Sequence, residues 1–267
     1  MLAADCHSHC EHSHDSNTPA RVMLDGAIAK GAGYLALTDH CDKDCQLIDG
    51  FQWVRQIDLD AHFSSLERLK DEYKGKIELG IGLEMGYYAP ADALYSDITS
   101  KYHTDVLINS VHMVGAQDCY DRSYFDCGRA EAYGEYLRAV AASVHVPYDY
   151  DIIGHIGYVA RKSPYEDRAL KYGEFPDMID SILKSIIDKG KALEVNGRGT
   201  DTPFIPESDI VRRYRELGGE LITFGSDAHN PDWLLINYDK VVEALKAIGF
   251  KYIFRYLNHR PIGERLV

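Results

Sequence analysis

A short apolar run that ends in polar or metal-binding residues, followed by a segment of helical periodicity, recurs along almost the whole chain. Apolar runs at 2–6, 34–37, 77–83, 105–110, 151–154, 192–195 and 220–224 read as strands. Helical patterns cover 18–30, 59–73, 91–102, 129–142, 175–189, 207–217 and 239–248, with Pro19 suited to a first helical turn. Strands that alternate with helices specify a parallel sheet in an α/β fold. Seven such units suit a closed or nearly closed barrel better than an open doubly wound sheet, which would bind its ligand at a switch point and not around a ring of strand ends. No linker or low-complexity segment divides the chain, so residues 1–267 read as a single domain.

The ends of the runs carry the chemistry. His7-Ser8-His9 follows the first strand, and residues i and i+2 of an extended chain point to one side, so both imidazoles can reach one cation. By the same alternation Cys6 points the other way and is expected to pack on a helix. Asp39 and His40 end the second strand, Glu84 the third and His155 the fifth. His112 follows the fourth, and Asp227 with His229 follows the seventh. In a barrel all these positions converge on one mouth. His, Asp and Glu without Cys form a nitrogen and oxygen ligand set for Zn, Mn or Fe. The candidates exceed the needs of one ion, which predicts a multinuclear site with Glu84 and Asp227 as bridging carboxylates. In the first loop any of His12, His14 or Asp15 can complete it. His62, His103, His145 and His259 read as bystanders.

Charge excludes one large class of partner. With 42 acidic against 29 basic side chains the net charge is −13, the wrong sign for a protein that neutralises a phosphate backbone, so no nucleic-acid partner is expected. No apolar run approaches the ~20 residues that span a bilayer, and the N-terminus lacks a signal pattern. A cytoplasmic protein with no membrane partner is expected. Cys6, Cys10, Cys41, Cys45, Cys119 and Cys127 read as free thiols; the alternatives are a disulfide framework or a zinc site on Cys41 and Cys45, but no second pair with zinc-finger spacing follows.

The motifs Asp5-Cys6-His7-Ser8-His9, Thr38-Asp39-His40, Gly82-Leu83-Glu84, Ser110-Val111-His112, Gly154-His155 and Gly225-Ser226-Asp227-Ala228-His229 together resemble the PHP (polymerase and histidinol phosphatase) superfamily. The likeness runs from about residue 5 to 261 and includes Glu194-Val195-Asn196 and the segment 214–220. It implies a distorted (β/α)7 barrel with three divalent metal ions (Zn, Mn or Fe) at the C-terminal ends of the strands. His7, His9, Glu84 and Asp227 look like ligands of the first ion, Glu84, His112 and His155 of the second, and Asp15, His40 and His229 of the third. In the first loop the chain departs from the family pattern, with His14 and Asp15 competing for one position.

Within the superfamily the chain is most similar to the phosphatases of histidinol phosphate. That resemblance implies hydrolysis of L-histidinol phosphate to L-histidinol and inorganic phosphate, in histidine biosynthesis, by attack of a metal-bridging hydroxide. On a protein of charge −13 a phosphate also needs local cations, and Arg161 and Arg198, just past strand ends, can hold its oxygens with paired hydrogen bonds. Asp227 or His229 would protonate the leaving alkoxide. Asp42, Asp44 and Glu166 are acids available to the ammonium and imidazole of the leaving group. The alternatives are a PHP-type phosphoesterase for another small phosphate ester, an amidohydrolase, and a non-catalytic metal-binding module.

Overall fold

The computed structural model describes residues 2–43 and 56–266. Strands β1 (Ala3–Asp5), β2 (Ala32–Cys41), β3 (Glu78–Gly86) and β4 (Val106–Ser110) pair in parallel in chain order. A small antiparallel hairpin, β5 (Met113–Val114) and β6 (Gln117–Asp118), follows. The parallel order resumes with β7 (Ile152–Ile153), β8 (Ala192–Asn196) and β9 (Ile222–Gly225). The chain ends in β10 (Tyr252–Leu257), parallel to β9, and β11 (Arg260–Arg265), which turns back antiparallel.

The two edges of the parallel set meet at their C-terminal ends. Cys6 N–H donates to the Phe224 carbonyl at 2.9 Å and Asp227 N–H to the His7 carbonyl at 2.8 Å, with a parallel bridge between Ser8 and Ala228. At the opposite end β10 takes the place beside β9, so the seven-stranded barrel is distorted.

Helices α1 (Ala20–Ala29), α2 (Leu59–Glu72), α3 (Asp92–Lys101), α4 (Arg129–Ser143), α5 (Pro176–Asp188), α6 (Ser208–Glu216) and α7 (Tyr238–Ile248) connect the strands. Their apolar stripes explain why they pack where they do. On α5 the buried residues are Ile179, Ile182, Leu183 and Ile186, and on α7 Tyr238, Val241, Val242 and Leu245, each set at spacings of three and four. Pro176 opens α5, and the Asp58 carboxylate caps α2 by accepting from Ala61 N–H at 3.0 Å.

Strand alternation separates two cores. Leu35, Leu37, Leu79, Ile81, Leu83 and Met85 pack with the helices. Tyr34, Ala36, Val106, Ile108, Ile152, Ala192 and Tyr256 form a second cluster. On that second face β3 carries Gly80, where a Cβ would lie 2.2 Å from the Tyr34 hydroxyl, and Gly82, where it would lie 2.2 Å from the Val106 carbonyl oxygen. The absent side chains let one tyrosine fill the barrel, and the next residue of that face is Glu84.

Cys6 belongs to this all-strand cluster, so it does not pack on a helix; the residues around it come from β2, β4, β7, β8 and β10. The strand expected at 34–37 is longer in both directions because β1 pairs with it from Ala32 and β3 keeps register with it from Tyr34 to Cys41. Helix α1 begins after Pro19, which occupies the cap and not the first turn. Cys6, Cys10, Cys41, Cys119 and Cys127 are free thiols. Cys45, and with it the Cys41–Cys45 zinc alternative, lies outside the described residues.

Candidate metal centre

Glu84 is the hub. It leaves β3 pointing into the mouth, fully buried, and five imidazoles from four other strand ends surround its two oxygens. Oε1 lies 2.8 Å from His155 Nε2 and 3.1 Å from His112 Nε2. Oε2 lies 2.9 Å from His40 Nδ1, 3.2 Å from His7 Nε2 and 3.5 Å from His9 Nε2. Asp227 closes the ring, its Oδ1 3.2 Å from His9 Nε2 and 3.9 Å from His7 Nε2. On the outer side Asp15 Oδ2 stands 2.9 Å from His229 Nε2 and 3.6 Å from His40 Nε2.

The ligand atoms fall into four overlapping groups: His7, His9 and Asp227; His7, Glu84 and His155; His40, Glu84 and His112; and His9, His40 and His229. Within each group they lie within 4.8 Å of one another. Eight of the nine residues that the resemblance assigns as ligands fall in these groups; Asp15 lies outside them and meets the cluster through His229 and His40. Within it His9 also joins His40 and His229, and His40 also joins Glu84 and His112. His14 lies tilted against His40 with ring centroids 5.0 Å apart, while Asp15 aims its carboxylate at His40 and His229.

His7 Nε2, His9 Nε2, His40 Nδ1, Glu84 Oε2 and His229 Nε2 are buried and have no hydrogen-bond partner among the described residues. Buried polar atoms in folded proteins are as a rule hydrogen-bonded, and converging lone pairs on nitrogen and oxygen are what a divalent cation requires. The residues present therefore fit divalent metal ions. Electrostatics agree. Burial lowers the His9 pKa to about 3, helped by His229 and His40, and so keeps a neutral, ligating imidazole. Burial also works against charge on His112, yet Asp42 and Glu84 push it up to about 10. Although burial opposes ionisation of Glu84, His7, His112 and His40 hold its carboxyl well below the usual range. This is a nest of anions that binds positive charge, whether protons or metal.

A second set of groups aims the first, and sequence reasoning missed its members or gave them other roles. Ser13 Oγ donates to Asp39 Oδ1 at 2.7 Å, stands 3.0 Å from His9 Nδ1 and accepts from His40 N–H at 3.0 Å. Asp39 is therefore turned away from the mouth and also accepts from Cys10 N–H at 2.7 Å, with its Oδ2 3.1 Å from His62 Nδ1. Asp42, expected as a leaving-group acid, is buried with Oδ1 2.7 Å from His112 Nδ1 and Oδ2 3.1 Å from His40 Nδ1. Gly86 makes this possible, because a Cβ there would lie 1.8 Å from Asp42 Oδ1. Glu166 is exposed and Asp44 lies outside the described residues. His103 and His259 bond to Asn258 and Asp151, and His145 is exposed.

Beside the ring opens a cleft of about 390 Å³ whose lining includes Tyr120, Arg161, Lys162, Arg168, Arg198 and Trp233. Arg161 joins cleft to centre: Nη1 lies 2.5 Å from Asp227 Oδ2 and Nη2 donates to Asn196 Oδ1 at 2.9 Å. Arg198 donates to the Asp227 carbonyl at 2.9 Å and lies over the Trp233 ring at 4.2 Å. Tyr158 stacks on Tyr120 at 4.5 Å and covers His112 and His155. Cations and aromatic faces next to a metal nest suit a small phosphate ester with a polar ring.

A family model described as PHP domain matches residues 5–198. The chain is 34% identical over 256 residues to a histidinol-phosphatase of Lactococcus lactis, covering 94% of this chain and 93% of that one. It is 27% identical to a probable histidinol-phosphatase of Clostridium acetobutylicum, covering 95% and 96%. Among solved structures, histidinol phosphate phosphatase of Lactococcus lactis complexed with zinc, L-histidinol and phosphate matches with a TM-score of 0.87 and 32% identity, over 97% of this chain and 98% of that one.

Proposed function

The chain belongs to the PHP-domain family, and from that premise we propose a metal-dependent histidinol-phosphatase that hydrolyses L-histidinol phosphate to L-histidinol and inorganic phosphate. The observation that carries the reading is the ring of imidazoles on Glu84 and Asp227 with Arg161 fastened to it. It is supported by near-complete coverage of a histidinol-phosphatase and by a structural neighbour that holds zinc, L-histidinol and phosphate. Residues 1–267 act as one phosphatase domain. No helix among the described residues is long and apolar enough to cross a membrane. A place in histidine biosynthesis and in the cytoplasm goes with the reading.

The centre is built for divalent cations, and we assign it three: His7, His9, Glu84 and Asp227 for the first, Glu84, His112 and His155 for the second, and Asp15, His40 and His229 for the third. Zn, Mn and Fe all suit this donor set. Such ions would supply Lewis acidity toward the phosphoryl oxygens and a nucleophile at neutral pH. The protein's own groups do the rest. Arg161 and Arg198 present guanidinium N–H groups to the equatorial phosphate oxygens and neutralise charge as the in-line displacement proceeds. Asp227, held ionised by Arg161 against the effect of burial, takes the proton of the attacking water and passes it to the leaving alkoxide. His229 Nδ1 donates to the Asp227 carbonyl at 3.0 Å and so fixes the segment that carries the carboxylate. Tyr120, Tyr158 and Trp233 form the aromatic walls against which the imidazole of the leaving group packs.

The test is phosphate release by metal-loaded protein from L-histidinol phosphate and from a panel of other phosphomonoesters. A strong preference for the first upholds the reading. Equal or better turnover of another ester moves the substrate and leaves the phosphatase chemistry in place.

A further inference from the structure

Glu194 bears no solvent-exposed surface, and its only basic partner among the described residues is an imidazole. From β8 its Oε1 accepts from His7 Nδ1 at 2.7 Å and its Oε2 from the His155 backbone N–H at 2.6 Å. His7 follows β1 and His155 follows β7, strands that are not paired with each other. Room for the carboxylate comes from Gly225, where a Cβ would lie 2.0 Å from Glu194 Oε1 and 2.6 Å from His7 Cβ.

We propose that Glu194 is a positioning residue that holds two cation ligands of the centre, His7 by its ring and His155 by its backbone, in their ligating orientation. An imidazole whose Nδ1–H is held by a carboxylate has one tautomer and one ring plane, which leaves the Nε2 lone pair aimed at the metal and raises its basicity. His7 Nε2 accordingly points at Glu84 Oε2 and Asp227 Oδ1. Both oxygens of Glu194 must accept, and a glutamine offers only one acceptor. Its amide N–H₂ would face either the imidazole N–H or the His155 N–H, donor against donor.

The proposal rests on the metal-centre reading, and zinc binding separates the two. Apo protein prepared by chelation is titrated with zinc against a chromophoric chelator, for the full chain and for Glu194→Gln, Glu194→Asp and Gly225→Ala. The expected result is a loss of about 10–100-fold in zinc affinity for Glu194→Gln. Gly225→Ala, which displaces the carboxylate without removing its charge, should show a similar loss. Glu194→Asp, which keeps both acceptors, should recover part of the affinity. Competition reports affinity in the folded fraction, so a poorly folding variant changes stoichiometry and not the constant. Wild-type affinity in the folded fractions of Glu194→Gln and Gly225→Ala overturns the role of Glu194, whatever their stability. Failure of the wild-type protein to bind zinc, Mn or Fe would overturn the metal-centre reading itself.

Discussion

Arg161 Nη1 lies 2.5 Å from Asp227 Oδ2, so the guanidinium assigned to the phosphoryl group is already fastened to the carboxylate that closes the imidazole ring. The contact is buried on both sides, and Arg161 also donates to Asn196 Oδ1 and to the Arg198 carbonyl. A phosphate that reaches this guanidinium is therefore within reach of the metal ligands.

Unequal effects are expected for the two arginines. Arg161→Ala strands the Asp227 carboxylate in a buried site and should raise KM at least tenfold while also lowering kcat, a cost of about 1.4 kcal/mol or more. Arg198, partly exposed and stacked on Trp233, contributes less, and Arg198→Ala should raise KM several-fold with kcat nearly kept. Steady-state kinetics on L-histidinol phosphate decide this; unchanged constants in both variants would remove the arginines from the site.

Loss of a ring member should remove both metal and turnover. For His9→Ala and Asp227→Asn the expected drop in kcat is about 10²–10³-fold or more, with reduced metal content by elemental analysis and an unchanged far-ultraviolet circular dichroism spectrum. Full activity with full metal content in either variant contradicts the assignment.

Chelation should destabilise the fold, because imidazoles and carboxylates gathered for a cation repel or hold protons without it. Metal present at 100 times its dissociation constant contributes about 2.7 kcal/mol, which for a chain of this size is a fall in Tm of roughly 5–10 °C on chelation. Differential scanning calorimetry with and without chelator measures it, and an identical Tm would argue that the centre binds little metal.

Glu207, buried at the start of α6, gives a pH signature away from the ring. Burial pushes its carboxyl up from 4.5 to about 8. Above pH 4.5 the unfolded chain ionises this group while the fold keeps it protonated. Stability fully present below about pH 4.5 is therefore lost as pH rises to about 8, by on the order of a few kcal/mol. Glu207→Gln should match wild type near pH 4 and exceed it at pH 9 in urea denaturation. A constant difference across that range would contradict the shift.

The barrel and its mouth were legible because they rest on local pattern. Apolar runs mark β2, β3, β4 and β8, and the His or Glu at or just after the end of the first three falls at the mouth once the strands are parallel. What was not legible depends on contacts between distant segments. Glu194, a buried acid inside an apolar strand, looked like part of a family motif; only the fold brings it to His7, 187 residues away. Asp42 looked like a rim acid until Gly86 admitted it against His112. Cys6 was misplaced by simple alternation, because it keeps phase with Ala4 on the all-strand face and the phase breaks only after it, where His7 turns into the mouth. The β10–β11 hairpin was missed because no helix separates its strands and the strand–helix rhythm stops at α7.

The central claim is that this ring hydrolyses L-histidinol phosphate with bound divalent ions. The most direct test is phosphate release from that ester by purified protein, beside other phosphomonoesters, with metals quantified in the same sample. The account predicts a strong preference for L-histidinol phosphate and about three divalent ions per chain, the occupancy that the ligand sets support. Metal-loaded protein that releases no phosphate from L-histidinol phosphate would contradict it.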